Sequence, residues 1–367
     1  MNLEFSEEQL FIRDQARNFL SQECTAATVR GVLDSEAPFD KELWQKIVDL
    51  GWTAMAIPEN HGGLGLGYLE LCVIAEELGR ALAPVPFSSS VYLATEALCS
   101  WGSAAQQQHF LPKLAAGELI GTLATSEGLG APSAAASVAQ GKLSGSKLPV
   151  PDGDVADFVV LTAQDDQGVT GLYIADLSNT GIQCEPLGSM DPSRSQARIT
   201  FNDVPVQALG EDKIAGEDEL SQLLDRAAIL LAFEQLGGCQ AAMEMGIAYT
   251  KERYAFGRAI ASFQAIKHKF ADMYVAVELA RANAYYGACA LSGDAPDLPL
   301  AAATARVSAS DAYYLVTREN IQAHGGMGFT WEFDCHLYYR RAQLLSSLIG
   351  SQPQWKEKIA SRLLQVA

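Results

Sequence analysis

The 367-residue chain has no CxxC pair. Its cysteines stand singly, at Cys24, Cys72, Cys99, Cys184, Cys239, Cys289 and Cys335, and their number is odd. That pattern argues against a disulfide framework or a thiolate zinc site and suits a reducing compartment. No apolar run reaches the roughly 18 residues needed to span a bilayer. The N-terminus, Met1 to Glu8, is acidic and has no apolar signal core, so a cytoplasmic protein without membrane insertion is expected. Positive charge is scarce: 26 Lys and Arg face 44 Asp and Glu, a net charge of -18. Such a surface disfavours nonspecific binding to nucleic acid or to anionic membranes. Internal repeats, low-complexity segments and long linkers are also missing.

What is present is ordinary for a folded protein, with 49% apolar and 19% charged residues. The chain reads as three blocks, 1–117, 118–217 and 218–367. The first is helical. Ser6 is a candidate N-cap with Gln9 three residues on, and Phe5, Leu10, Ile12, Ala16, Phe19 and Leu20 recur at helical spacing. Leu43 to Leu50, Leu69 to Leu82 and Tyr92 to Leu114 read as further helices. The second block has short apolar runs between turn residues. Phe158–Thr162, Gly171–Ala175 and Ala197–Phe201 are predicted strands, and Asp165–Gly168 and Asn202-Asp203 are turn signals. Helical texture resumes near Leu220, with a break predicted over Gly293 to Pro299. The β block lies between helical blocks and does not alternate with them, which argues against a doubly wound nucleotide fold. The expected class is α+β: a helical domain, a β-barrel-like domain and a four-helix bundle.

Gly63-Leu-Gly-Leu-Gly67 superficially matches a phosphate loop. No strand precedes it and the Walker lysine is missing, so a flexible turn is expected. Two other blocks are sharper. Arg253, Phe256, Gly257 and Gln264 combine a cation suited to phosphate, an apolar surface and an amide. Gln322, His324, Gly325, Gly326 and Gly328 end a helix in glycines that permit positive φ and close approach of a ligand. Their bland alternatives are a solvated helix-end arginine and a ligand-free helix C-cap. His324 has no metal set or nucleophile beside it and is read as structural.

Together these blocks resemble the acyl-CoA dehydrogenase family of flavoproteins, over nearly the whole chain and with the same helix–β–helix order. The resemblance implies FAD as cofactor, bound between the β domain and the bundle with a second subunit contacting its pyrophosphate. It implies cofactor contacts for Arg253, Phe256, Gln264, Gln322 and Gly326. Thr125-Ser126-Glu127 resembles the family's Thr-Glu-Pro segment beside the flavin, with Ser126 in the threonine's place. The implied reaction is α,β-desaturation of an acyl-CoA thioester. A carboxylate takes the α-proton, a hydride leaves for flavin N5, and electrons pass to an acceptor such as electron-transfer flavoprotein.

Three departures accompany the resemblance. The family's Trp-x-Thr segment over the flavin falls on Pro149-Val-Pro151, and its Gly-Ser-Asp on Ala131-Pro-Ser133, where Ser133 alone retains a hydroxyl. The usual glutamate base falls on Ile349, which cannot take a proton. A minority of the family places the base at the start of the first bundle helix, before an arginine. Ungapped counting reaches Ala227, and a two-residue slip reaches Asp225-Arg226, so Asp225 is the candidate base with Arg226 beside it. Asp272 is a lesser candidate. The alternative is a catalytically incomplete subunit that completes a partner's FAD site. Some bacterial members that act on steroid side chains pair two unlike subunits in this way. A homo-oligomer or a heterotetramer with a homologous subunit is therefore expected.

Overall fold

A computed structural model of the chain describes residues 5–128, 136–211 and 214–366. The chain opens with α1 (Glu7–Glu23), α2 (Ala26–Leu33), α3 (Lys41–Asp49), α4 (Tyr68–Arg80), α5 (Glu96–Trp101) and α6 (Ala104–Ala115). The strands follow: β1 (Gly121–Ala124), β2 (Ser137–Ala139), β3 (Lys142–Pro151), β4 (Phe158–Gln164), β5 (Thr170–Asp176), β6 (Ile182–Pro186), β7 (Gln196–Pro205) and β8 (Gln207–Ala208). Then come α7 (Glu217–Glu252), the short strands β9 (Tyr254–Ala255) and β10 (Arg258–Ala259), α8 (Gln264–Ser292), α9 (Leu298–His324), α10 (Cys335–Ser347) and α11 (Gln352–Val366). This is the α+β order expected.

The N-cap at Ser6 forms as predicted: its hydroxyl accepts the Gln9 N–H, and the Gln9 side chain closes the capping box. The stretch 92–114 is not one helix. A π-helical segment covers Ser88–Thr95 and runs into α5, which stops at Gly102. Ser103 then caps α6 in a second capping box with Gln106. Gly102-Ser103 is the stop-and-start signal that the apolar spacing concealed. The long helix begins at Glu217, before Leu220, with Glu217, Asp218 and Glu219 in its first turn where the helix dipole favours acids. The break after Ser292 and the restart at Leu298 fall within the predicted segment.

The chain forms two compact units. One comprises 31–67 and 84–227, the other 1–30, 68–83 and 228–367. In the first, the sheet runs β6-β7-β3-β2-β4-β5-β8, with β1 added parallel to β4. Its path stays open among the described residues. Val150, Val159, Leu161, Ala175, Ile199, Phe201 and Val204 form its core. The three predicted strands appear, the first two slightly longer and the third, β7, running on to Pro205. Asn202-Asp203 does not end a strand: both residues lie inside β7, and Asp203 adopts φ +57°. β3 was not predicted, since Gly145, Pro149 and Pro151 interrupt its apolar pattern.

The glycine run near residue 63 is no flexible turn. Leu64, Gly65 and Leu66 donate backbone hydrogen bonds to Ala54, Ile57 and Met55, and a Cβ at Gly63 would lie 1.9 Å from the Ile57 carbonyl oxygen. The glycine is there for close packing.

In the second unit, α8 and α9 pack along each other, and α10 and α11 pack on α9. Ala301, Ala302, Ala303, Ala305 and Ala309 let neighbours approach the α9 face. α4 crosses α7 glycine to backbone: Cβ atoms at Gly79 and Gly237 would lie 1.8 Å from Glu234 O and 1.7 Å from Glu76 O. Buried Arg306 donates to Gln235 Oε1 at 2.7 Å and to the Leu345 carbonyl, and burial pushes its pKa down to about 10.

Candidate functional site

Arg253 follows directly on α7, and its N–H donates to Tyr249 O at 2.8 Å. The chain then turns back in a two-residue hairpin, with Ala255 opposite Arg258 and Tyr254 opposite Ala259. The turn residues, Phe256 and Gly257, both have positive φ, +53° and +79°. That is the sign pattern of a type I′ turn, where Asn-Gly is usual and an aromatic is strained. The strained Phe256 is also 95% exposed. Strain without burial is unexplained by the fold of this chain and suits a ring held out for another molecule. Phe256 meets Phe263 edge-on at 6.2 Å, and the Arg258 guanidinium lies 4.0 Å over the Phe263 ring. Phe263 is the N-cap of α8, so Gln264 opens that helix, exposed.

Gln322 lies exposed in the last turn of α9, which ends at His324. Gly325 takes φ +61°, and a Cβ at Gly325 or Gly326 would meet nothing within 4 Å. These glycines open onto free space. Gly328 differs: a Cβ there would sit 2.5 Å from Ile321 O, so packing requires it.

The two blocks are brought together by His324. Its ring stacks on Tyr249 at 4.1 Å, and its Nδ1 lies 2.8 Å from Asn320 O. The Tyr249 hydroxyl reaches back to His324 O at 3.5 Å. The end of α7, which carries Arg253, is thus fixed against the end of α9, which carries Gln322 and Gly326. Burial lowers the His324 pKa.

The remaining predicted residues lie in other places. Ser126 is exposed, and its hydroxyl oxygen accepts the Gly128 N–H at 3.3 Å, leaving its proton to donate. Ser133 lies outside the described residues. Asp225 is not at the start of the first bundle helix. α7 begins at Glu217, which places Asp225 about two turns in, 2% exposed. Arg226 pairs with Glu96 at 3.5 Å, and Glu96, 4% exposed, also accepts the Ser100 hydroxyl at 3.1 Å. Asp272 is exposed on α8. Ile349, 7% exposed, lies in the turn between α10 and α11, within a bridge of Leu348 to Gly350.

Ion pairs with buried members are not foreseen from the sequence, and two of them flank the end of β3. Lys147 pairs with Glu127, and Arg194 with Asp152. Only Lys147 lies within a strand, and the partners, 20 and 42 residues away, carry no local signal. Among the described residues no cluster of His, Cys, Asp or Glu is arranged to hold a metal, and no helix is long and apolar enough to cross a membrane.

Residues 6–118 match the N-terminal domain of acyl-CoA dehydrogenase, and residues 216–364 match its C-terminal domain. The acyl-CoA dehydrogenase IpdE2 of Mycobacterium tuberculosis is 33% identical over 97% of this chain and 98% of its own. The chain belongs to the acyl-CoA dehydrogenase family. Members of this family are FAD-dependent oxidoreductases. Solved structures agree. A variant of the steroid acyl-CoA dehydrogenase Tcur3481-Tcur3483 is 30% identical with a TM-score of 0.88, covering 98% of both chains. The ChsE4-ChsE5 complex of M. tuberculosis is 27% identical with a TM-score of 0.91, covering 99% of both chains.

Proposed function

We propose that this acyl-CoA dehydrogenase family member takes part in α,β-desaturation of an acyl-CoA thioester, with the functional blocks 1–117, 118–217 and 218–367. The observation that carries the cofactor part is the exposed set on the joined ends of α7, α8 and α9. It consists of a guanidinium (Arg253), a strained ring (Phe256), two amides (Gln264, Gln322) and open backbone at Gly326. The donor set fits a pyrophosphate with an adjoining flat ring system: Arg gives paired donors, amides and bare N–H groups complete the oxygens, and Phe256 covers apolar surface. Its exposure suits a cofactor shared with a second subunit. The exposed Ser126 hydroxyl would have its proton to offer to the cofactor. When bound, FAD supplies the hydride acceptor. An acceptor such as electron-transfer flavoprotein would take up its electrons.

Proton removal falls to Asp225, whose carboxylate takes the α-proton, with Arg226 beside it. Asp225 is 2% exposed, next in the chain to Arg226, which pairs with the buried Glu96. Ile349 offers no alternative in this chain.

A second reading is favoured by Ile349 and by the two-component names Tcur3481-Tcur3483 and ChsE4-ChsE5. Here this chain completes the FAD site of a homologous partner that carries the base. Purified alone, a flavoprotein bleached anaerobically by an acyl-CoA supports the first reading. A colourless chain that gains flavin only when co-expressed with a homologue supports the second. Asp225→Asn is expected to slow bleaching about 100-fold or more, in line with loss of a general base. Undiminished reduction would remove Asp225 from the mechanism.

A further inference from the structure

The end of β3 is held by buried charge on both sides of its two prolines. Lys147, 1% exposed, donates from Nζ to Glu127 Oε1 at 2.8 Å and to Thr162 Oγ1 at 3.0 Å. The same Glu127 oxygen accepts the Ala136 N–H at 2.8 Å. Five residues on, Asp152, also 1% exposed, accepts the Ser89 hydroxyl at 2.5 Å and faces Arg194 at 3.5 Å; Arg194 in turn donates to Ser88. Between these clamps, Pro149 and Pro151 have no N–H to give, and the pairing of β3 with β7 shifts register between Lys147 and Val150. The backbone ladder is interrupted at this point, and side-chain contacts supply restraint.

The Lys147 clamp also acts on a second strip. The Leu148 N–H donates to Ser126 O at 2.9 Å, and Glu127 bridges to Leu148. Thr162, under Lys147, donates to Thr125 O at 3.4 Å. One buried ammonium therefore ties down Thr125, Glu127 and the residue that enters Pro149, while Ser126 remains exposed above them. Stability alone is a poor reason for such an arrangement. Burying an ammonium lowers its pKa, as here, and a well-packed apolar pair is often as stable as a buried ion pair. A directed ion pair adds a fixed spacing.

We propose that Lys147 is a positioning residue, which holds the Thr125–Glu127 strip against β3 and so fixes the place from which the exposed Ser126 hydroxyl would be offered to the flavin. This rests on the FAD reading above. Lys147 itself touches no reacting atom; it acts through Glu127, Thr162 and Leu148.

The test compares wild type with Lys147→Met, Lys147→Arg and Glu127→Gln, each prepared with whatever homologous partner wild type needs. Three quantities are read: FAD dissociation constant, the visible circular dichroism of bound flavin, and the melting temperature of FAD-stripped protein. Lys147→Met is expected to weaken FAD about tenfold, the lower range for loss of a supporting contact. It should also shift the visible dichroism while the stripped protein melts within a few degrees of wild type. Lys147→Arg should recover most of both, because it keeps the charge. FAD affinity and dichroism equal to wild type in Lys147→Met would overturn the proposal. If Lys147→Met does not fold, Glu127→Gln decides: an unshifted dichroism overturns the proposal, a shifted one supports it. Failure of wild type to bind FAD, alone or with a partner, defeats the FAD reading itself and is seen before any variant is made.

Discussion

Phe256 shows how a single residue separates stability from function. It is almost fully exposed and sits at φ +53°, where a non-glycine residue costs of order 1 kcal/mol or more. Phe256→Gly is therefore expected to leave the unfolding free energy unchanged or raised by up to about 1 kcal/mol, by urea titration. The same variant should lose FAD on gel filtration more readily than wild type. Loss of stability with unchanged FAD retention would show that the ring supports this chain's own fold. His324 is the opposite kind of residue, buried and fixed between Tyr249 and Asn320. Its folded pKa is below the ordinary 6.5, so the unfolded chain binds the proton first. Its contribution is present above pH 6.5 and is lost as pH falls from there through the folded value. The stability advantage of wild type over His324→Phe should shrink between about pH 7.5 and about pH 5.5, measured by denaturant midpoints at both. An advantage that grows on acidification would reverse the assignment. Both residues were visible in the sequence, but only as members of a motif. The exposure of one ring and the stacking of the other follow from where the chain places Tyr249 and Phe263.

At the scale of elements, the helices were largely legible because capping residues and spacing report local physics. Ser6 with Gln9 and the break before Leu298 needed no tertiary information. Gly102-Ser103, which divides the 92–114 stretch, is a local signal; three other differences share a different cause. β3, the continuity of β7 through Asp203 and the tight glycine loop at Gly63 are all decided by a neighbour across space: β7 for β3, β3 for β7, and Ile57 for Gly63. A period-based reading cannot detect such partners. The crossing of α4 and α7 belongs to the same class. Gly79 and Gly237 look like poor helix residues, yet each receives the other helix's backbone. Gly237→Ala would normally add about 1 kcal/mol of helix propensity. Here the added methyl has no room, so a net loss of about 1–3 kcal/mol is expected, read as a fall in melting temperature. A stabilised variant would mean that the helices can separate at no cost.

For the whole molecule, the family was legible because it rests on motifs spread over the chain's length, and the comparisons place the chain in that family. The candidate site was legible unevenly. Arg253, Gln264 and Gln322 could be proposed as cofactor contacts from their motifs alone, and the structure leaves all three exposed. The buried charges at Lys147, Asp152 and Arg194 could not be read, because each is meaningful only with a distant partner. For the same reason, Asp225 had to be located by counting from Arg253, and the true helix start at Glu217 shows how far such counting can drift from an element boundary.

The two compact units are interleaved along the chain, with changes after Arg30, Gly67, Ala83 and Ala227. That arrangement has a consequence for the chain as it is made. Translation delivers about 5–20 residues per second, N-terminus first. The unit ending at Ala227 has all its residues before the other has more than α1 and α4. Residues Leu71 to Gly79 of α4 are all buried in the finished protein, and the partners of this helix on α7 and α8, Glu234 and Arg281, are synthesised roughly ten seconds or more later. During that interval α4 has α1 beside it, through the Arg17–Glu77 pair, but not its neighbours on α7 and α8. With α1, it is a stretch of the nascent chain that a chaperone has time to hold.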